Sequence, residues 1–345
     1  MSRNPGFLQA LLRFVAQSAR LVSQGPATYW LWLGFLILLI ISGVSAYLTQ
    51  LDEGLIVTSM RDPVSWGMYI GNFTFLVGVA AAAVILVIPA YIYNWKPIKE
   101  IVIFGEILAV SAILMCILFV TVDIGRPDRF WHLMPGIGTL NFPESLLAWD
   151  ILVLTAYFFL NLFVVTYLLY KAYNGEEFNK KIVWPLVIFG IPLAISIHTV
   201  TAFLFNGLAA RSFWNASILA PRFLASAFCS GPAIMVVLFQ VLRRTTKLEF
   251  KNEAIWKVAE LMAYALAFNL FLLGAEVFKE FYSDTHHLLP FLYMFTGLEG
   301  HDPIVQYVWA AVLLQVLAFV LLVVPRTRKN LITLNIGCLA LWGGV

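Results

Sequence analysis

The chain has 345 residues, of which 61% are hydrophobic and 12% charged, and its formal net charge is +3. This composition excludes a soluble domain, because long apolar stretches repeat along almost the whole length, with Lys and Arg gathered in every second gap between them. We therefore predict an all-α polytopic membrane protein that contacts membrane lipid and has no nucleic-acid partner.

Residues 1–28 precede the first long apolar stretch. Apolar residues between Phe7 and Val22 recur there at helical spacing among Arg13, Gln17 and Arg20. Such a pattern is typical of a short amphipathic helix that lies on a membrane surface, here the cytoplasmic one. Residues 29–345 are predicted to form the transmembrane domain.

The membrane spans are predicted from stretches long enough to cross about 30 Å of hydrocarbon. In chain order they are Tyr29–Tyr47, Trp66–Tyr93, Ile101–Val122, Ser145–Tyr170, Val183–Gly207, Pro221–Leu242, Trp256–Phe281 and Ile304–Val324. A ninth starts near Leu331 and is barely long enough to cross before Val345. We therefore expect nine to ten transmembrane helices, the tenth requiring further chain.

The distribution of basic residues predicts the orientation. Of the 22 Lys and Arg residues, six fall in gaps on one side of these spans, which leaves sixteen on the side of the N-terminus. Because cytoplasmic loops carry an excess of Lys and Arg, the N-terminus is predicted to be cytoplasmic and the acidic loops to face outward. The protein is expected in the plasma membrane.

Four polar side chains fall at similar depths in the predicted outer leaflet. At a rise of about 1.5 Å per residue, Asn72 and Asp150 lie on the order of 8–9 Å below the outer surface and His198 about 14 Å below it, with Tyr69 nearer the rim. Taken alone, each of them is explained equally well as a structural residue or as a functional one. Together they predict an apolar pocket suited to a quinone, whose carbonyls accept hydrogen bonds and whose reduction consumes protons.

Charged residues near the span ends allow two interpretations each. In the outer loop that begins at Asp123, Arg126 either pairs with Asp123 or Asp150 and holds the mouth of the pocket, or belongs to an interface loop anchored by Trp131. On the inner side, Glu106 and Glu260 either pass protons from the cytoplasm or extend to the membrane surface.

Metal and heme cofactors are not expected in this chain. Of the five histidines only His198 lies inside a predicted span, so the paired imidazoles of a membrane cytochrome b are lacking. Cys116, Cys229 and Cys338 sit singly in separate spans and offer neither an iron–sulfur nor a zinc site. The His286–His287 pair in the outer loop is predicted to be solvated, with a metal site as the alternative.

Three segments carry a family resemblance: the stretch from Trp66 to Ala81, the stretch Asp123-Ile-Gly-Arg-Pro-Asp-Arg-Phe-Trp131, and the stretch from Ser145 to Trp149. They resemble membrane subunits of the polysulfide reductase or NrfD-type family. Segments beginning at His198, Arg211 and Pro221 resemble the ten-helix branch with DsrP- and HmeB-type subunits.

This resemblance implies two four-helix bundles, at about 63–207 and 217–345, flanked by further helices. It also implies a menaquinone site with no heme or iron–sulfur cluster in the chain, beside an iron–sulfur protein on the outer face. His198 occupies the position at which smaller relatives carry a quinone-contacting Tyr, and Tyr69 and Asn72 lie on the helix that supplies the opposite side. Trp149, in the third motif, is expected at the same site.

We therefore predict the quinone-reactive membrane subunit of a respiratory complex. His198 and Asp150 would bond the quinone or handle its proton, Tyr69 and Asn72 would orient the ring, and Asp123 and Arg126 would border the mouth. The electrons require a partner, so an outer iron–sulfur subunit is expected on the loops Asp52–Pro63, Asp123–Pro143 and Tyr282–Pro303. The DsrP-type resemblance implies sulfur-compound respiration, with a c-type cytochrome, a heme b membrane subunit and a cytoplasmic iron–sulfur subunit nearby.

Proton translocation by this chain also stays open at the level of the sequence. So does a different class of function, an ion or solute transporter, because Gly190, Pro192 and Gly207 allow a broken fifth span. A pure membrane anchor is disfavoured by Asp150 and His198, since an anchor needs no ionisable group inside the membrane.

Overall fold

The computed structural model describes residues 7–62, 64, 66–134, 136–285 and 287–345, and this part of the chain consists of helices joined by turns. The helices are α1 (Phe7–Val22), α2 (Ala27–Glu53), α3 (Met68–Ile92), α4 (Val102–Asp123), α5 (Leu146–Tyr173), α6 (Lys180–Asn206), α7 (Leu219–Thr245), α8 (Asn252–Ser283), α9 (Leu288–Phe295), α10 (Val305–Val323) and α11 (Leu331–Gly344). Short helical turns lie at Leu55–Thr58, Lys96–Lys99, Pro127–Leu133 and Pro325–Arg328.

Eight of the described helices, α2 to α8 and α10, are long and apolar enough to cross a membrane. The all-α polytopic fold is thus confirmed. The ninth predicted span corresponds to α11, which is apolar but has only 14 residues. The largest boundary difference is in α2, which runs on past Tyr47 to Glu53 because its helical hydrogen bonding continues until Gly54 adopts φ 86°.

The helices α3, α4, α5 and α6 contact one another in a closed ring, and α7, α8, α10 and α11 form a second ring. We call these bundle one and bundle two. They pack together mainly through α7, which contacts both α3 and α6. The sequence boundaries predicted for the bundles stay a prediction, and Pro63, which was expected to open bundle one, lies outside the described residues.

Three helices lie outside the rings: α1, α2 and the short α9, which contacts α8 and α10. The apolar stretch of α2 is not buried by other helices; at its end, Gln50 donates to the Val122 carbonyl of α4 at 2.7 Å. The helix α1 confirms the helical spacing read from the sequence, and Phe14 packs edge-on against the rings of Tyr170 and Tyr173 at the end of α5.

The second span, α3, is not one continuous helix. It consists of an α-helix over Met68–Ala81, a turn at Val84–Val87 and a π-helical turn at Ile88–Ile92 that contains Pro89. At the break, α3 and α7 are in close contact: a Cβ added to Gly231 would be 2.2 Å from the Cβ of Ala82. Small residues therefore allow the two bundles to meet backbone to backbone.

The end of each bundle at which α3 begins and α4 ends is called the outer end below, following the predicted orientation. Helices α5, α7 and α10 also begin there, and α6 and α8 end there.

Candidate functional site

His198 is a buried side chain of α6 at the junction of the two bundles. Its Nε2 lies 2.5 Å from the carbonyl oxygen of Phe223 on α7. Because a carbonyl can only accept, Nε2 carries the proton and donates it, which leaves Nδ1 of the neutral ring as an acceptor. Nδ1 is buried and has no hydrogen-bond partner. Gly78 of α3 gives the ring its space, since an added Cβ would lie 3.3 Å from His198 Cε1.

A cleft lies beside His198 in the outer half of the protein. It comprises a cavity of about 180 Å³ bordered by His198 and an adjoining cavity of about 330 Å³. The larger volume falls within the range of roughly 300–1,000 Å³ that is typical of small-molecule sites. The residues that line both cavities are Gly71, Thr74, Phe223, Ser226 and Val345.

Aromatic rings surround the outer part of this cleft. Phe205 packs edge-on against Trp214 at 5.1 Å and against Phe223 at 5.8 Å, and Trp66 stacks on Trp214 at 5.7 Å between ring centroids. Phe205, Trp214 and Phe223 line the larger cavity. Aromatic rings therefore form one wall of the cleft, a lining that is common in small-molecule sites.

Bundle two contributes a polar wall to the larger cavity. Arg222 of α7 lines it and donates to the buried carboxylate of Glu276 on α8. Asn269 donates to Gln315 Oε1 at 2.9 Å, and Gln315 donates to the Gly344 carbonyl at 2.5 Å, with both amide side chains bordering the same space.

Asp150 lies in the interior of bundle one and does not line the cleft. Its side chain is 1% exposed, and Oδ1 accepts a hydrogen bond from Thr201 at 2.7 Å. Thr201 is on α6, three residues after His198, and its hydroxyl is also 2.8 Å from the Ile197 carbonyl. The predicted partners Asp150 and His198 are thus joined through α6 rather than across a shared pocket.

Tyr69 and Asn72 project elsewhere. The Tyr69 hydroxyl donates to Gln50 Oε1 at 2.8 Å, which ties α3 to α2 and, through Gln50, to the outer end of α4. There Asp123 has a buried, unpartnered Oδ1. Asn72 is exposed and donates to the Met68 carbonyl of its own helix. The expectation of one pocket formed by all four polar side chains is therefore wrong: they share a depth but point in different directions around the helices.

The expected pairing of Arg126 is also wrong. Its guanidinium binds Asp128 through two hydrogen bonds of 2.9 Å, both groups being largely exposed, instead of Asp123 or Asp150. Hydrogen bonding from Arg126 lowers the pKa of the Asp128 carboxyl. The pairing is local because the helical turn Pro127–Leu133 places the two side chains next to each other.

Trp149 and His287 contact loop residues and do not line the cleft. The Trp149 indole donates to the Pro143 carbonyl at 2.9 Å and packs on Phe142, outside the cleft. His287 contacts the Ser212 carbonyl at 3.0 Å through Nδ1, so it packs on the loop after α6, whereas His286 lies outside the described residues.

The two inner carboxylates lie in different surroundings. Glu106 is 3% exposed, has an unpartnered Oε2 and borders a space of about 20 Å³ with Tyr157 and Asn161, next to the break in α3. Glu260 instead binds Lys257 and the Tyr264 hydroxyl, both at 3.0 Å, on its own helix. Its geometry matches the surface alternative.

Sequence reasoning missed Gln50, Thr201, Asn269, Gln315 and the Arg222–Glu276 pair. Arg222 and Glu276 fall close to the ends of predicted spans. In the structure each lies a few residues inside the outer end of its helix, α7 or α8, and these two helices are neighbours. Opposite charges at matching depths are the signal that could have found them.

Within the described residues, no group of three or more His, Cys, Asp or Glu side chains is arranged to hold a metal ion. The three cysteines are buried and free.

The family model for polysulphide reductase, NrfD, matches residues 56–345. The chain belongs to this family. It is 27% identical over 300 residues to a putative dimethyl sulfoxide reductase membrane subunit of Halobacterium salinarum, covering 79% of this chain and 68% of that protein. It is 26% identical to a selenate reductase subunit of Mesobacillus selenatarsenatis, covering 72% and 64%.

A third relative of this NrfD-family chain is the Hdr-like menaquinol oxidoreductase integral membrane subunit of Archaeoglobus fulgidus, 22% identical over 73% of this chain and 62% of that protein. The chain thus spans about two thirds of the length of these relatives. They are subunits of reductases or oxidoreductases, which agrees with a multi-pass subunit of a redox complex.

Proposed function

We propose that this chain is the quinone-interacting membrane subunit of a multi-subunit respiratory complex, exchanging electrons between menaquinone or menaquinol and an iron–sulfur partner. The observation that carries the proposal is His198, which is buried with a free Nδ1 and borders a cavity of about 180 Å³ that adjoins the larger, aromatic-lined cavity of about 330 Å³. The menaquinol oxidoreductase subunit among the relatives supports the choice of quinone.

The residues of the cleft fit a quinone ring. Phe205, Trp214 and Phe223 supply flat apolar contacts. When bound, menaquinol supplies two electrons and two protons on oxidation. His198 would hold a ring hydroxyl at Nδ1 and receive a proton there, while its Nε2–H stays on the Phe223 carbonyl and fixes the imidazole.

Asp150 has a more indirect role in this proposal than the sequence suggested. Its carboxylate reaches α6 through Thr201, so it can hold or exchange a proton and steady the helix that carries His198, without touching the ligand. Tyr69, Gln50 and Asp123 would then support the outer end of bundle one rather than bind the ring.

The electrons need an acceptor or donor outside the cleft. We propose an iron–sulfur subunit on the outer loops Asp52–Pro63, Asp123–Pro143 and Tyr282–Pro303, with the N-terminus of this chain in the cytoplasm and the complex in the plasma membrane. A c-type cytochrome, a heme b subunit, a cytoplasmic iron–sulfur subunit and a role in sulfur-compound respiration extend the proposal along the DsrP-type resemblance.

The proposal also includes proton translocation coupled to the redox reaction, with Glu106 on the proton route. Its unpartnered Oε2, Tyr157 and Asn161 surround a space large enough for one water molecule, on the inner side of Asp150 in bundle one. A proton could enter by this route and reach the interior of the bundle. Glu260 is not included, because its carboxylate is bound by Lys257 and Tyr264.

One observation favours a second candidate, an ion transporter. Transporters place ion sites at broken membrane helices, and α3 breaks beside the buried Glu106. Ion flux through vesicles that contain this chain without its redox partners would support that candidate.

The experiment for the main proposal replaces His198 by Phe in the complete complex. We expect His198→Phe to leave assembly intact and to lower menaquinol-dependent reduction of the partner by at least about 100-fold, the scale of general acid–base effects. The control is Tyr264→Phe, since Tyr264 is exposed on α8, donates to Glu260 of its own helix, and lies outside both the cleft and the outer loops. Full activity of the assembled His198→Phe complex would place the quinone elsewhere.

A further inference from the structure

The Arg222–Glu276 ion pair lies inside the helical region, between α7 and α8 of bundle two. Glu276 is 3% exposed, whereas Arg222 is 24% exposed and borders the larger cavity. Charged residues at such depth are costly and usually face a bundle interior or a ligand pathway. The pair therefore needs an explanation that the packing of two apolar helices does not provide.

The hydrogen-bonding needs of a quinone ring supply that explanation, given the function proposed above. The oxidised ring carries carbonyl oxygens, which can only accept hydrogen bonds. While its ring is neutral, His198 cannot donate to them from Nδ1, because its proton is on Nε2 and is given to the Phe223 carbonyl. A quinone that meets the neutral imidazole therefore needs a donor other than His198.

The Thr74 and Ser226 hydroxyls of the cleft already donate to backbone carbonyls. Thr74 donates to the Ile70 carbonyl at 2.9 Å, and Ser226 donates to the Phe223 carbonyl at 2.9 Å. The amides of Asn269 and Gln315 each give one N–H to a protein acceptor and keep one, and Trp214, which lines the larger cavity, has an indole N–H. These donors are neutral, whereas Arg222 is the charged donor among the residues that line the two cavities. Arg222 gives Nη1 to Glu276, and its guanidinium has further N–H groups on the side chain that borders the cavity.

We propose that Arg222, oriented by Glu276, is the charged donor that binds a carbonyl oxygen of the quinone. His198 of bundle one supplies the acceptor and Arg222 of bundle two supplies the donor, so the ligand bridges the two bundles. Glu276 is a positioning residue that keeps the buried cation neutralised and its fork in place. This inference rests on the proposed function and makes the site dependent on the redox state of the ring.

The two redox states distinguish the roles of the two residues. A donor such as Arg222 binds the carbonyl of the quinone more strongly than the hydroxyl of the quinol, whereas the acceptor Nδ1 of His198 favours the quinol. Loss of Arg222 should thus weaken quinone binding most, and loss of His198 should weaken quinol binding most.

The test measures binding of a short-tailed naphthoquinone and of its reduced naphthoquinol to the purified complex by calorimetry. We expect the double variant Arg222→Gln/Glu276→Gln to weaken naphthoquinone binding about 10- to 100-fold, as for loss of a charge-assisted hydrogen bond, and naphthoquinol binding by less. The two amides can bond each other, so the variant avoids an unpaired buried charge. Arg222→Lys should recover part of the affinity.

The control is Arg243→Gln, because Arg243 is at the inner end of the same helix as Arg222 and donates to Asn252 Oδ1 at 2.6 Å, outside the cleft. Unchanged naphthoquinone affinity of the folded double variant, together with weaker naphthoquinol binding by His198→Phe, would overturn this inference and leave the proposed function standing. If the unaltered complex bound neither form, the proposed function would fall, and this inference with it.

Discussion

The tautomer of a single imidazole determines what the cleft can do. His198 is fixed by the Phe223 carbonyl, and the ring is held close by the backbone at Gly78. A partnered His would be a structural residue that ties α6 to α7. Here only one ring nitrogen is used in that way, and the other is buried without a partner. The residue combines a hydrogen bond between the bundles with an unpartnered acceptor on a ring that borders the smaller cavity.

Asp150 provides a prediction at the same scale, because it does not line the cleft and is joined to the helix of His198 through Thr201. Asp150→Asn keeps a hydrogen-bonding oxygen for Thr201 but cannot exchange a proton. We expect naphthoquinone binding within about twofold of the unaltered complex and menaquinol turnover lowered about 10- to 100-fold. Calorimetry and steady-state turnover measure the two quantities.

Thr201→Val is the matched variant for this prediction, since it removes the hydrogen bond and keeps the carboxylate. If Asp150→Asn lowered binding and turnover together, Asp150 would have to contact the ligand, contrary to its position away from the cleft.

At the scale of the element, α3 lines the cleft, packs closely against α7 and contains a break. Its first part lines the cleft through Gly71 and Thr74, its middle packs against α7 through Ala82, and its π-helical turn follows near Glu106. The continuous apolar run Trp66–Tyr93 predicted a span but not the break, because a helix that is apolar all round shows no periodicity from which an interruption could be read.

The close approach of α3 and α7 predicts the effect of a single methyl group. Gly231→Ala places a Cβ 2.2 Å from the Ala82 Cβ, so the helices must separate. We expect a loss of about 1–3 kcal/mol in the free energy of unfolding, as for overpacked cores, measured by denaturant unfolding in detergent.

The same substitution at Gly274 of α8 is the control. A Cβ at Gly274 would have no heavy atom within 4 Å, and Ala is a better helix former than Gly. Gly274→Ala should therefore be neutral or stabilising. Equal effects of the two substitutions would show that α3 and α7 do not depend on close backbone contact.

At the scale of the whole molecule, the two rings of four helices create the site between them. The cleft takes His198 from bundle one and Arg222 from bundle two, and α7 connects the two rings. The orientation of this assembly decides on which side of the membrane the cleft opens.

Cysteine accessibility tests that orientation. The native Cys116, Cys229 and Cys338 are buried, so single surface cysteines stand out against them. In intact cells, a membrane-impermeant maleimide should label Ala209→Cys, in the exposed loop after α6, and should label Lys247→Cys, in the exposed loop after α7, only after permeabilisation. The reverse pattern would invert the predicted topology and move the proposed iron–sulfur partner to the other side.

The sequence by itself determined the helical fold, the position of nearly every span and the level of each polar residue. These properties depend on composition and on distance along the chain, which a rise of about 1.5 Å per residue converts into depth. His198 was selected as a candidate in this way. The motif from Trp66 to Ala81 also indicated the family, which the match over residues 56–345 confirmed.

Only the tertiary structure decided which residues at a given depth meet. The direction of a side chain around its helix axis depends on helix packing, and an apolar span gives no preferred face. Tyr69 therefore turned to Gln50, Asp150 to Thr201 and Asn72 to its own backbone. The pairing of Arg222 with Glu276 likewise depended on α7 and α8 lying side by side, which no spacing within the chain expresses.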